Sequence, residues 1–250
     1  MLSPPPPLTA LADLDAQLAA SGWAVLDAPV FAAMAGVTGA AEDAWRPQWE
    51  ELPPDTYLRD GGRYRRRRHG SFIVEAGHCR AVPHRAHWQP LSYNALHGGI
   101  ERWFEPMPEL LVVDPAWQRL LVALAARAAT LRGSRAEPWY GEAHLFRIDA
   151  SDGIGRPTPE GAHRDGVDLV AVVLASRLNI RGGETRVFDA RSPQGVRFTL
   201  AQPWSALLLD DERVIHETTP IQPIDPTLPA HRDTLVVTLR RGGFQDPPPI

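Results

Sequence analysis

The 250-residue chain is 44% hydrophobic, enough for a sizeable core in one domain. Its formal net charge of −4 excludes a general nucleic-acid binder, which normally presents a basic surface. One cysteine, Cys79, rules out an internal disulfide framework, and no window offers the roughly 18 apolar residues of a membrane span, so a cytoplasmic protein is expected.

In chain order, the first segment lacks Lys and Arg and carries Asp13 and Asp15, which does not suit a signal peptide. Pro4 to Pro7 form a stiff entry. Leu11, Leu14 and Leu18 predict a helix over 9–20, stopped by Gly22 and followed by a strand from Trp23 to Leu26. Residues 30–45 predict an Ala-rich helix. The basic run Arg63 to Gly70 reads as a solvated strand face. His78, His84 and His87 read as polar loop residues, a second metal site being the weaker reading, and Cys79 as an unreactive thiol. Residues 114–132 predict the best helix, with Asp114 as cap, Pro115 in the first turn and Gly133 past the end.

Beyond Gly133 the period changes. Strands are predicted at 139–149, 167–175, 184–189, 195–200, 204–210 and 233–240, with no helix between them. That pattern excludes βαβ units and favours an antiparallel sandwich or barrel. On the first strand His144 and Phe146 share one face while Leu145 and Arg147 share the other; the pattern leaves open which face looks inward. Gly182 and Gly183 predict a turn with positive φ.

His163 and Asp165 lie two apart, so an extended backbone points both to one side. His216 follows the apolar strand WSALLLDD. Two imidazoles and one carboxylate suit a non-haem ferrous site, although zinc can use the same set. The bland alternative makes the first two surface residues and His216 a core residue. A chelating cosubstrate such as 2-oxoglutarate also needs a cation for its far carboxylate, and Arg supplies a two-armed fork. Arg232 opens the last strand, expected beside the strand of His216; the alternative pairs it with Asp233. Arg240 and Arg241 sit at the far end of that strand.

The runs YGEAHLFRI, GAHRDGVDLVAVVLASRLNIRGGETRVFD, LLLDDERVIHETTPI and HRDTLVVTLRR together resemble the bacterial 2-oxoglutarate/Fe(II) dioxygenase family that includes the free L-isoleucine 4-hydroxylases. The chain is similar to the biofilm- and stress-related BsmA-like proteins as well. The likeness spans roughly 20–240 and is densest from 139 onward. It implies a mainly β, α+β chain with a double-stranded β-helix (jelly-roll, cupin-like) core under an N-terminal helical layer. One dioxygenase domain over 1–250 is expected, with helices and substrate-side loops in 1–135 and the metal-bearing core in 136–241. It implies Fe(II) on His163, Asp165 and His216, 2-oxoglutarate on Arg232, and O₂ with a small substrate, by analogy a free aliphatic L-amino acid that is hydroxylated or sulfoxidised with release of succinate and CO₂. Asn179 or Thr185 would sit near the cosubstrate. Arg65, Arg67, His144 and Arg147 are substrate-side candidates, an Arg taking the amino-acid carboxylate. The rival expectation is a non-catalytic cupin-like protein that binds a small acid or metal in stress or biofilm regulation.

Overall fold

In the computed structural model, which describes residues 4–134 and 138–248, alternation of side chains along the strands separates a helix-covered face from a hollow one. The helices are α1 (Leu14–Ser21), α2 (Ala28–Ala35), α3 (Gly39–Trp45), α4 (Glu109–Val112) and α5 (Pro115–Arg132). Strands β1 (Trp23–Leu26), β2 (Arg65–Glu75) and β3 (His78–Ala81) run among them. After α5 come β4 (Trp139–Asp149), β5 (Leu169–Leu178), β6 (Ile180–Gly182), β7 (Thr185–Asp189), β8 (Gly195–Phe198), β9 (Ala206–Asp210), β10 (Val214–Thr218), β11 (Ile221–Pro223) and β12 (His231–Arg240). No helix follows α5 among the described residues.

The helix signals act as expected at α5. The Asp114 carboxylate accepts from the Ala116 N–H, and Gly133 closes the helix in the left-handed region at φ 63°. The helix expected over 30–45 is two helices, because Gly36 at φ 63° ends α2 before α3 begins. Leu14 and Leu18 of α1 are buried, whereas Leu11 lies in a preceding 3-10 turn and stays exposed.

A seven-stranded antiparallel sheet has the order β1-β9-β5-β12-β4-β2-β3, and a three-stranded sheet has the order β10-β7-β8. β6 and β11 form a short ribbon. Behind the large sheet, Ala143, Leu145, Val173, Leu235 and Val237 join Trp117, Leu120, Leu121 and Leu124 of α5 in the main core. Each such leucine contributes roughly 1.5–3 kcal/mol by leaving water. Between the sheets, Val170, Leu174, Leu207 and Leu209 meet Val187, Phe198 and Val214. The result is a mainly antiparallel jelly-roll core with a layer of helices on one side.

Two expectations are corrected here. The basic run is not a solvated face. β2 pairs with β4 over Arg65 to Val74, so alternate side chains Arg65, Arg67 and His69 fall inside the sandwich and are buried. Nor does β12 lie beside β10: it is hydrogen-bonded between β5 and β4, and His216 belongs to the smaller sheet.

Candidate metal centre

The site begins with a backbone contact. The His163 N–H donates to the His216 carbonyl at 3.0 Å, and the His216 N–H returns a bond to the His163 carbonyl at 2.9 Å. This antiparallel bridge brings the two imidazoles to 4.6 Å between ring centres. Asp165 follows two residues later. The Asp211 carboxylate fixes that turn by accepting from the N–H groups of Asp165, Gly166 and Val167 at 3.0, 2.7 and 3.1 Å. Gly166 has φ 78°, and a Cβ there would lie 2.5 Å from the Tyr93 ring, so both conformation and space call for glycine.

One ligand atom from each of His163, Asp165 and His216 lies within 4.8 Å of the others. Nε2 of His163 is 3.8 Å from Asp165 Oδ1, and Nε2 of His216 is 3.8 Å from Oδ2. The His163 Nδ1–H donates to the Gly161 carbonyl at 2.9 Å, which leaves its Nε2 lone pair for a metal. Burial disfavours the charged form at both imidazoles. Beside Asp165 and Glu160, His163 is nonetheless raised, whereas His216, facing His163, falls well below the ordinary range. Burial and the Asp165 charge push Asp211 up, against its three N–H donors. Two imidazole nitrogens and a carboxylate converging on one point fit a ferrous ion.

The trio opens into a cavity of about 930 Å³, counting its mouth. The inner face of the large sheet lines it with Glu142, His144, Phe146 and Ile148 from β4 and Arg232, Thr234, Val236 and Thr238 from β12. Register places Arg232 opposite Ile148 at one end and Thr238 opposite Glu142 at the other. Arg232 is 3% exposed, and its Nε has no hydrogen-bond partner. Burial, then repulsion from Arg177, lowers it to about 10, so it remains a cation at neutral pH. The alternative pairing with Asp233 is not found: Asp233 points to the opposite face, where Arg147 holds it. A buried guanidinium with no acid of its own fits the far carboxylate of 2-oxoglutarate.

His144, Arg65 and Arg67 line this cavity and Arg147 does not, because it faces the helix side and also bonds Glu50. Asn179 lies outside it as well. At φ 50° it shapes the turn, and its side-chain amide donates to the Asp225 carbonyl at 2.8 Å. Thr185 is buried opposite Thr218 in the small sheet but does not line the cavity. The direct cosubstrate contacts expected for Asn179 and Thr185 are therefore corrected to a turn and a strand position, and the substrate-side role expected for Arg147 to an ion pair behind the sheet.

Of His78, His84 and His87, only His87 is buried at the cavity; His78 is exposed and His84 bonds the Phe104 carbonyl. His87 instead joins His69 and His144, whose ligand atoms also lie within 4.8 Å of one another. These nitrogens are engaged. His69 Nε2 and His87 Nδ1 meet Glu142 at 3.0 and 3.2 Å, and Arg67 Nη2 donates to His144 Nδ1 at 2.7 Å. Burial favours a neutral Glu142, but the pull of His87 and the two imidazole contacts hold it below the usual carboxylate range. Burial pushes the Cys79 thiol up to about 11, in keeping with an unreactive thiol.

Sequence reasoning missed Gln89, Arg102, Glu142 and Glu160. Gln89 Nε2 donates to Asp165 Oδ1 at 3.1 Å, and Glu160 Oε1 stands 3.6 Å from His163 Nε2. Glu142 shares its strand face with His144, a signal that alternation alone could have supplied.

The family model described as 2OG-Fe dioxygenase matches residues 46–238. A BsmA homolog from Methylobium petroleophilum PM1 is 56% identical, with TM-score 0.91 over 96% of this chain and 97% of that one. IDO from Bacillus thuringiensis shares 16% identity, with TM-score 0.74 over 94% and 100% of the two chains. The Fe(II)/(alpha)ketoglutarate-dependent dioxygenase TqaL shares 21%, with TM-score 0.68 over 92% and 87%. These last two likenesses speak to the fold alone. No curated protein matches the chain.

Proposed function

The chain belongs to the 2OG-Fe dioxygenase family, and on that premise we propose that it hydroxylates, or at a thioether sulfoxidises, a small free aliphatic L-amino acid. One arrangement supports this most. Two imidazoles and a carboxylate, with ligand atoms within 4.8 Å of one another, share a cavity with a buried arginine that no acid neutralises among the described residues.

In this reading His163, Asp165 and His216 hold Fe(II), and Arg232 takes the far carboxylate of 2-oxoglutarate. When bound, iron and cosubstrate supply the oxidant from O₂, with succinate and CO₂ as coproducts. The protein's share is placement and exclusion of water. Asp211 holds the turn that carries Asp165, and Gly161 sets the His163 tautomer. Phe146, Val172 and Val236 form an apolar stretch of wall for an aliphatic chain, and Arg65 and Arg67 of β2 flank it beside Ile148 and Phe146, with His144 level with Val236.

We take the chain as one dioxygenase domain. The core of 136–241 carries the proposed metal ligands, and 1–135 supplies the helices together with β1, β2 and β3 of the large sheet. No helix is long and apolar enough to cross a membrane among the described residues. The single cysteine suits the cytoplasm.

Anaerobic titration of Fe(II) and 2-oxoglutarate should develop the visible charge-transfer band of the chelate. Succinate release should then rise with one or more members of a free amino-acid panel. Absence of the band counts against the metal and cosubstrate assignments; a band without stimulated turnover counts against the amino-acid substrate.

A further inference from the structure

One buried cation lining the cavity has no ion-pair partner among the described residues and feels Asp55, Glu160 and Glu142 only at longer range. Arg102 is 2% exposed and lines the cavity, yet it forms no ion pair among the described residues. Its Nη2 donates to Gln89 Oε1 at 2.9 Å, and its Nε has no partner. The neighbouring arginines share one acid, although Arg65 Nη2 and Arg67 Nε also lack hydrogen-bond partners. Arg65 Nε bonds Asp55 at 2.7 Å, and Arg67 Nη1 lies 3.7 Å from the same carboxylate. Arg67 is also sandwiched between Phe104 and Phe146, at 3.7 and 4.4 Å from the ring centres. A guanidinium taken out of water without an acid is costly, and an anionic ligand offsets that cost.

Arg102 is rigidly placed for such a ligand. Its backbone exchanges hydrogen bonds with His87 at 2.9 and 3.0 Å. The Gln89 carbonyl that receives Arg102 is also held by Asn94 at 3.2 Å, and the other end of the Gln89 amide bonds Asp165. One amide side chain therefore spans the gap from Arg102 to the carboxylate of the metal trio. Arg232 on β12 and Arg65 on β2 lie in one row on either side of Ile148 of β4, and the segment of Arg102 runs on the β2 side, so the two unpaired guanidiniums stand on opposite flanks of the same cavity.

We propose that Arg102 seats the carboxylate of the substrate, which makes the substrate a short aliphatic carboxylic acid whose chain lies along Phe146, Val172 and Val236 toward the metal. This rests on the reading given under Proposed function and names the residue that would select the acid. Arg65 and Arg67 stand on the same side of the cavity but share Asp55 between them, whereas Arg102 has no acid within ion-pair distance among the described residues. The planar fork of Arg102 can offer two parallel N–H donors to a carboxylate, whereas a primary amide supplies one acceptor and no charge.

The test is calorimetric and needs no turnover. Protein loaded with Ni(II) and 2-oxoglutarate is titrated with L-isoleucine, L-leucine and L-methionine and with their primary amides. At least one acid should bind, with its amide more than tenfold weaker. Arg102→Met should weaken that acid more than tenfold, Arg102→Lys should weaken it less, and neither should shift 2-oxoglutarate affinity by more than twofold. Equal binding of acid and amide, or acid binding by Arg102→Met within twofold of wild type, overturns the inference. Wild type that binds 2-oxoglutarate but none of the acids overturns it while leaving the cosubstrate assignment standing; wild type that binds neither overturns both.

Discussion

Arg147 grips Asp233 with two arms of its guanidinium, Nε to Oδ1 and Nη2 to Oδ2, each at 2.8 Å. Asp233 is the sequence neighbour of Arg232, and successive side chains of a strand point to opposite faces. The pair therefore sits behind the sheet, and Arg232 keeps its charge for the cavity in front. Removing the cation, as in Arg147→Met, strands a buried carboxylate and should cost about 3–5 kcal/mol in urea unfolding. A variant as stable as the parent would show that His231, 3.4 Å from Asp233 Oδ2, and solvent already satisfy it.

Arg232→Ala should weaken 2-oxoglutarate by roughly tenfold to a hundredfold, the scale of a charge-assisted hydrogen-bonded contact. Arg232→Lys should fall between, since an ammonium keeps charge but loses the fork. Calorimetric titration of the Ni(II)-loaded protein measures this directly. Unchanged affinity in the alanine variant would remove Arg232 from the anchor role.

Divalent metal should stabilise the fold through His163, Asp165 and His216. At a metal concentration a hundred times Kd, the gain in unfolding free energy should be about 2.7 kcal/mol. His216→Ala should abolish most of that gain. A gain that survives in the variant would place the ion elsewhere, with the His69, His87 and His144 group the first place to look.

Acid should destabilise the protein through its buried histidines. Burial depresses His87 to about 4, and lowers His69 and His144 as well. A base depressed in the folded state takes up protons more readily unfolded. Its contribution is present above the ordinary imidazole value of 6.5 and is lost as pH falls toward 4. For His87 alone the loss by about pH 5 is roughly 2 kcal/mol. Urea unfolding of metal-free protein at pH 7 and 5 measures it, and His87→Gln should flatten the difference. Equal pH dependence in the parent and the variant would rule His87 out as a source.

The grouping of His163, Asp165 and His216 and the inward position of Arg232 were legible because their signals are local. His163 and Asp165 share one short extended stretch, and Arg232 opens a strand whose apolar alternation is plain. The orientation of β2 was not legible. A run of arginines reads as a wet surface, and only pairing with β4 decides that Arg65 and Arg67 face inward. Gln89 and Arg102 lie in the irregular stretch between β3 and α4, where no period exists to follow. Their roles come from partners far along the chain, Asp165 for one and the cavity for the other. Asn179 misled for the opposite reason: a polar residue beside paired glycines suits a turn and a binding loop equally well.

The reciprocal backbone bridge between His163 and His216 has a bearing on which ion arrives. Main-chain bonds and the Asp211 brace shape the three-ligand claw in the bare polypeptide, so loading requires little refolding. A claw already set to one shape follows the intrinsic Irving–Williams ranking and takes nickel or copper more tightly than iron. Selection of iron would then rest on the supply of free ions around the protein rather than on discrimination by the polypeptide.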